Sequence, residues 1–554
     1  MNSRLCLTVL YVSLASLWAQ QPHPKLSTDL NSILRAGETD VIVQYVRSPG
    51  SEQRSHAESR GARWKNDLPH IRGTHFAVQP NRLRDLADDP DVEFITPDRP
   101  VQGTLDVTAP SVGANWAWQY GWTGRGVGVA VIDSGVSKVA DLKDRVVYEE
   151  AFGVQGTEDQ YGHGVHVAGI IAADGQASNG KYKGIAPQAS IISLRVLDSD
   201  GHGRDSDVIR AIFRAIQLKD RYNIHVINLS LGRPVFESYT HDPLCLAVEA
   251  AWRSGIVVVV AAGNEGRNNT AGTEGYATIG SPANDPMVIT VGAMKTMATV
   301  TRADDQIASY SSKGPSLLDH VVKPDLVAPG NRIVSLDGKH KTTLEGMYPE
   351  NFIKPAHFML SGTSMAAAVV SGAAALLLDK EPRLSPDQVK ARLMKTAAKS
   401  FPNVSVAYAP LNGQTYTSQY DVFTVGAGYL DVTAALRSSD VLPSNLTAIS
   451  PVAVYDAESK TVNLVFANGM VWGTGMVWGT GMVWGTGMVW GTNVVNPSGM
   501  VWGTGMVWGT SGTAGFGMVW GTGMVWGTGM VWGTGADWGT NSVNGQNVLV
   551  KGEN

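Results

Sequence analysis

The stretch Val129-Ala130-Val131-Ile132-Asp133-Ser134-Gly135 places four apolar residues before a carboxylate and a turn. An apolar run without alternation reads as a strand covered on both faces, and Asp133 then reads as a group delivered to the strand's carboxyl edge. Further runs of this kind occupy residues 191–197, 226–229, 256–261 and 287–291, with helical patterns between them. Strands alternating with helices predict an α/β fold, a mostly parallel central sheet with helices on both faces. In such sheets reactive groups gather at the carboxyl ends of strands.

Three other stretches supply chemistry that a carboxylate alone cannot. Gly162-His163-Gly164-Val165-His166-Val167-Ala168-Gly169 sets an imidazole before a helical pattern of small residues. A helix N-terminus disfavours positive charge, which predicts a neutral, basic His163 near neutral pH. Its neighbour His166 reads as a satisfied structural residue, and the His-x-x-His spacing does not suit helical zinc ligands. Ser361-Gly362-Thr363-Ser364-Met365-Ala366-Ala367 puts a hydroxyl at the start of an apolar helix, where the field favours a developing anion. Ala261-Ala262-Gly263-Asn264-Glu265-Gly266 follows a strand and offers a side-chain amide to a cleft. Each piece has an ordinary reading by itself: turn former, structural histidine, helix cap, Asn turn. Together they supply what acyl transfer needs, a nucleophile, a base, an orienting carboxylate and an oxyanion donor.

These four blocks resemble, in order, the signature blocks of subtilisin-like serine proteases. The supporting segments Gly184-Ile185-Ala186-Pro187, Asn228-Leu229-Ser230-Leu231-Gly232, Ser309-Tyr310-Ser311-Ser312-Lys313-Gly314-Pro315 and Lys323-Pro324-Asp325-Leu326-Val327-Ala328-Pro329-Gly330 match as well. The resemblance covers residues 110–437 and implies a serine endopeptidase with Ser364 as nucleophile, His163 as base and Asp133 as its orienter. It implies an oxyanion hole from Asn264 and the Ser364 backbone. It also implies two edge strands for an extended substrate, at Ser199, Asp200 and Gly201 and at Ser230, Leu231 and Gly232, reading peptide backbone by β-augmentation with broad specificity. Val165 and Ala368 depart from the family's usual Thr and Pro, which bears on rate and not on the reaction. No cofactor is required. A structural calcium ion is within the resemblance, but the loop at residues 174–180 is a poor ligand set for one.

The rest of the 554-residue chain divides by composition. Arg4 precedes an apolar run over residues 5–18, which reads as a secretory signal peptide at residues 1–19. Removing it takes Cys6 away and leaves Cys245 as a lone, inert thiol in an apolar helical stretch. Residues 38–100 hold two strand-like runs, 40–46 and 92–96, and a helix-like 81–88. This small α+β unit resembles the ferredoxin-like inhibitory propeptide of the same family, which implies a zymogen that cuts itself between residues 98 and 108. The competing reading is an accessory domain that stays attached.

Residues 438–468 read as a linker, and residues 469–546 as a repeat. Gly-Met-Val-Trp-Gly-Thr begins at Gly469 and recurs at 475, 481, 487, 499, 505, 517, 523 and 529, and both interruptions keep the six-residue register. An even period keeps Met, Trp and Thr on one face of an extended strand, and stacked coils would align the tryptophans. Cell-surface or glycan contact through these indoles is the expected role, with a flexible adhesive tail as the alternative. A net charge of -5 with 17% charged residues excludes a basic nucleic-acid surface. The apolar stretch at 365–378 is too short to span a membrane and belongs in a core. The sequence therefore predicts a secreted or cell-surface enzyme acting on proteins or peptides, with its own propeptide as inhibitor. A catalytically silent scaffold carrying an adhesive repeat is the alternative.

Overall fold

The computed structural model describes residues 23–26, 30, 38–68, 72–97, 105–270, 272–338, 342–402, 404–409, 414–456, 461–465, 500–502, 506–508, 542–545 and 553. The signal peptide reading at 1–19 and most of the repeat lie outside them. The chain forms two compact units, Met1–Val101 and Gln102–Asn554.

In the first unit β1 (Thr39–Tyr45), β2 (Ala62–Leu68), β3 (Gly73–Val78) and β4 (Val92–Pro97) make an antiparallel sheet in the order β2-β3-β1-β4. Helices Ser51–Ser59 and Leu83–Ala87 connect β1 to β2 and β3 to β4. This is a split β-α-β arrangement. Val41, Val43 and Tyr45 point from β1 into a core with Phe76, Val78, Leu86 and Ile95. Strand β2 was not legible because Ala-Arg-Trp-Lys-Asn-Asp-Leu is mostly exposed and lacks an apolar alternation.

The second unit is built on an eight-stranded sheet. Its strands are β5 (Gly128–Asp133), β6 (Val146–Ala151), β7 (Ser190–Arg195), β9 (Ile224–Leu229), β11 (Val257–Ala261), β12 (Ile289–Lys295), β13 (Gln306–Ile307) and β14 (Leu326–Pro329). Two short strands outside this sheet, β8 (His202–Arg204) and β10 (Leu231–Gly232), follow β7 and β9. The order is β13-β12-β11-β9-β5-β7-β6, with β14 also against β12. Every pair is parallel except β12 with β13. All six residues of β5 are buried, as expected for a strand covered on both faces. Helices pack in two layers, His163–Ala172 with Thr363–Lys380, and Asp205–Tyr222 with Pro243–Arg253.

Thr363–Lys380 is the one helix among the described residues long and apolar enough to cross a membrane. It is buried from Thr363 to Leu378 and packs on β9, β11, β12 and β14, so it is the core helix of this unit. Ala366, Ala367, Ala373 and Ala374 are among its buried residues.

Three residues of each of two adjacent copies are described, Met500–Trp502 and Met506–Trp508, and they pair antiparallel with Val501 opposite Val507. A stack of coils would set each residue beside the one six further on. Among the described residues Met500 faces Trp508 instead, an antiparallel pairing that differs from the register of a solenoid step.

Candidate active site

The chain leaves β5 toward β7 and β6 on one side of the sheet and returns to β9, β11 and β12 on the other. The carboxyl end of β5 is thus a topological switch point, the place where open parallel sheets form their crevice. Asp133 ends β5, Ser230 directly follows β9, and Asn264 lies three residues beyond β11. Because the three strands are parallel neighbours, these groups share one edge.

Asp133 and His163 are fully buried, with His163 Nδ1 2.7 Å from Asp133 Oδ1. The same Oδ1 accepts the Ser134 backbone N–H at 2.8 Å, and the Ser134 hydroxyl accepts the Gly164 N–H at 2.9 Å, tying the helix start to the strand end. A side chain at residue 164 would come within 2.1 Å of the Gly135 carbonyl, so only glycine permits this approach.

A second carboxylate, which the sequence reading missed, organises the same helix start. Asp159 accepts the N–H groups of Gly162 at 2.7 Å and Val165 at 2.8 Å. These are donors that a helix N-terminus leaves without intrahelical partners. Burial pushes the Asp159 carboxyl up to about 6, against the lowering by its two N–H partners.

The helix field is expected to keep His163 neutral and basic near neutral pH, and other groups also act on this imidazole. Burial does pull its pKa down, but the charges of Asp133 and Asp159 and the Asp133 hydrogen bond outweigh burial and leave it above the ordinary value. A base must be neutral to work, so activity is lost as pH falls through the raised His163 pKa. Asp159→Asn removes one anion, and the acid limb of the kcat/KM profile is expected to move to lower pH. A pH–rate comparison with the parent checks this.

Ser364 is the second residue of the buried helix Thr363–Lys380. Its hydroxyl donates to the Ser230 carbonyl at 3.2 Å, while the Ser230 hydroxyl donates to the Ser364 carbonyl at 2.9 Å. Asn228 in turn donates to the Ser230 hydroxyl and accepts from Ser371, so a buried chain of hydrogen bonds fixes both serines. His163 Nε2 is buried and has no hydrogen-bond partner among the described residues. Asn264 Oδ1 accepts the Thr363 N–H at 2.9 Å and the Thr363 hydroxyl at 3.1 Å. With its oxygen held by the residue before Ser364, the amide group has a fixed orientation beside that serine.

His166 is structural, as expected. Its Nε2 lies 3.2 and 3.1 Å from the Ile333 and Phe358 carbonyls, and burial pushes its pKa down to about 3. Cys245 is buried, with its thiol pushed up by burial.

The two edge strands fall at β8 and β10. Leu231 and Gly232 form β10, with Ser230 immediately before it. On the other side the reading was displaced: Ser199, Asp200 and Gly201 form the turn, and the strand is His202–Arg204. The Asp198 carboxylate accepts the N–H groups of Asp200 and His202, which holds the chain in a turn over 199–201. In and beside the loop at 174–180 two carboxylates accept backbone N–H groups. Asp174 accepts the Gln176 N–H at 2.8 Å and Asp141 the Ala177 N–H at 2.7 Å. No cluster of three or more His, Cys, Asp or Glu side chains with metal-binding geometry occurs among the described residues.

A buried Asp–His pair and a helix-start serine at the switch point of a parallel sheet are the parts a serine hydrolase of the triad class uses. The description "Subtilase family" matches residues 124–428, and on this match the chain belongs to that family, as a subtilisin-like serine endopeptidase. The chain is 37% identical over 324 residues to Serine protease AprX of Bacillus subtilis (strain 168), covering 56% of this chain and 71% of that protein. It is 32% identical over 404 residues to Subtilisin E of the same strain, covering 71% and 91%. Against Subtilisin of Bacillus pumilus it is 38% identical over 300 residues, covering 53% and 90%.

Proposed function

We propose that Ser364, His163 and Asp133 form the catalytic triad of a secreted endopeptidase of broad specificity, made as a zymogen. The observation that carries this is the buried 2.7 Å contact between His163 Nδ1 and Asp133, which leaves Nε2 without another partner. The Ser364 hydroxyl turns from the Ser230 carbonyl toward Nε2 and gives up its proton as its oxygen attacks the scissile carbonyl. Asp133 holds the imidazole tautomer and stabilises the imidazolium. Asn264 and the Ser364 backbone N–H stabilise the oxyanion, and His163 returns the proton to the leaving amine. Water then repeats the sequence on the acyl-enzyme.

Backbone pairing to β8 and β10 accounts for broad specificity, since main-chain hydrogen bonds do not read side chains. The first unit acts as the inhibitory propeptide. Its separate α+β core and an alignment with Subtilisin E longer than the family match support this. Secretion is supported by the apolar stretch after Arg4, and surface association by the Trp-rich repeat. A fluorophosphonate probe is expected to label Ser364 of the processed enzyme and no other residue, read by peptide mass mapping. A processed chain that stays unlabelled while a control protease reacts would leave only the scaffold reading.

A further inference from the structure

The slot between β8 and β10 is occupied by the chain's own C-terminal end. Strand Ser542–Gly545 pairs antiparallel with both, making a three-stranded sheet. Asn544 lies opposite both Gly232 and His202, Val543 opposite Gly203, and Gly545 opposite Leu231. The strand thus ends one register position short of Ser230, whose carbonyl accepts the Ser364 hydroxyl.

Eight residues further on, Glu553 sits in a built pocket. Its carboxylate accepts the Ser309 N–H at 3.1 Å and the Ser309 hydroxyl, and it pairs with Arg267 and, at 3.3 Å, with Lys295. Asn331 brackets its backbone, donating to the Glu553 carbonyl and accepting its N–H, both at 2.9 Å. Glu553, Ser309, Lys295 and Asn331 are all buried. Lys295 ends β12, while Ser309 and Asn331 lie two residues beyond β13 and β14. The pocket also adjoins both loops of the candidate site. Tyr310 accepts the Gly266 N–H, and the Gly362 N–H donates to Gly330, beside Asn331.

We propose that the pocket of Arg267, Lys295, Ser309 and Asn331 is a carboxylate-binding site that anchors the tail through Glu553. With strand 542–545 in the substrate slot, the tail is a built-in competitor of substrate for Ser364. The physical case is that two independent anchors flank one serine. The strand uses the backbone pairing an extended peptide substrate would use, and Glu553 adds charge-assisted hydrogen bonds in a dry pocket. Joining the two in one chain makes the second binding event intramolecular. This inference rests on the reading of Ser364 as the nucleophile.

The test uses the processed enzyme with its intact C-terminus. Glu553→Ala is expected to lower KM for a short peptide substrate about tenfold with kcat unchanged, because one buried charged anchor is lost. Asn544→Pro, which takes a backbone donor from the strand and leaves the pocket intact, is expected to act in the same direction. A synthetic peptide of residues 541–554 added to the Glu553→Ala enzyme is expected to inhibit competitively, and the same peptide carrying Glu553→Ala to inhibit about tenfold less. Unchanged KM in both variants, with no difference between the peptides, overturns the proposal while fluorophosphonate still labels Ser364. Failure of Ser364 to label in any of these proteins overturns instead the nucleophile assignment beneath it.

Discussion

Replacing Ser364 by alanine is expected to lower kcat/KM for a peptide substrate by about 10⁶-fold, the scale of loss documented for subtilisin without its nucleophile. The substitution is small in structural terms. It removes one 3.2 Å hydrogen bond to the Ser230 carbonyl at the start of a helix that is otherwise unchanged. A lost hydrogen bond of this kind costs about 1 kcal/mol, so the variant should fold and melt close to the parent. His163→Ala should be about as damaging, and the double variant little worse, because the groups act as a unit. Matched kinetics and thermal melts of the three variants check this. Independent, additive losses would contradict the assignment of Ser364 and His163 to one proton-transfer chain.

The second large effect concerns stability. Asp325 is fully buried between two lysines, 2.7 Å from Lys323 Nζ and 3.1 Å from Lys390 Nζ, and accepts the Thr290 N–H at 2.8 Å. Burial alone would raise its pKa, but the two ammonium groups hold it below the usual carboxylate value. For Lys390 burial wins, pushing it down to about 7 despite Asp325. Asp325→Ala leaves Lys323 and Lys390 with carbonyl partners but without the one carboxylate that contacts both, so Lys323 stays a buried cation short of its closest counter-charge and Lys390 is driven further toward its neutral form. Breaking a buried pair from one side costs about 3–5 kcal/mol, a large share of the stability of most domains. Urea unfolding should show the loss as a lower midpoint. The sign with pH follows from the lowered Asp325 pKa: its contribution is present at neutral pH and is lost as pH falls through that value. The variant should therefore also lose part of the parent's acid sensitivity.

Much of the site was legible because its signals are local. Asp133 at a strand end, His163 at a helix start, Ser364 before an apolar helix and Asn264 after a strand are each set by a few neighbouring residues. The apolar runs that became β5, β7, β9, β11 and β12 were legible for the same reason, since burial on both faces leaves a continuous hydrophobic trace. The direction of the His163 pKa was not legible, because it depends on whether the close Asp133 contact, with a smaller contribution from Asp159, outweighs burial. The slip from 199–201 to His202–Arg204 has a similar origin, since Asp198 decides through its hydrogen bonds where the turn ends.

By itself the sequence determined the α/β class, the order of the four chemical blocks and the repeat period, all of which are patterns along the chain. Tertiary structure alone decided which groups meet: Asp159 beneath His163, Asn228 behind the serine pair, Lys390 beside Asp325, and Glu553 against Ser309. These partners lie from a few to more than two hundred positions apart, and no periodicity encodes them. They are selected by the parallel strand order, which gathers the Asp133, Ser230, Asn264 and Glu553 groups at the carboxyl ends of the strands, while Asp325 and Lys390 meet at the opposite edge, where β12 and β14 begin. At both edges the cost of burying a charge forces each one to find a counter-charge or a donor.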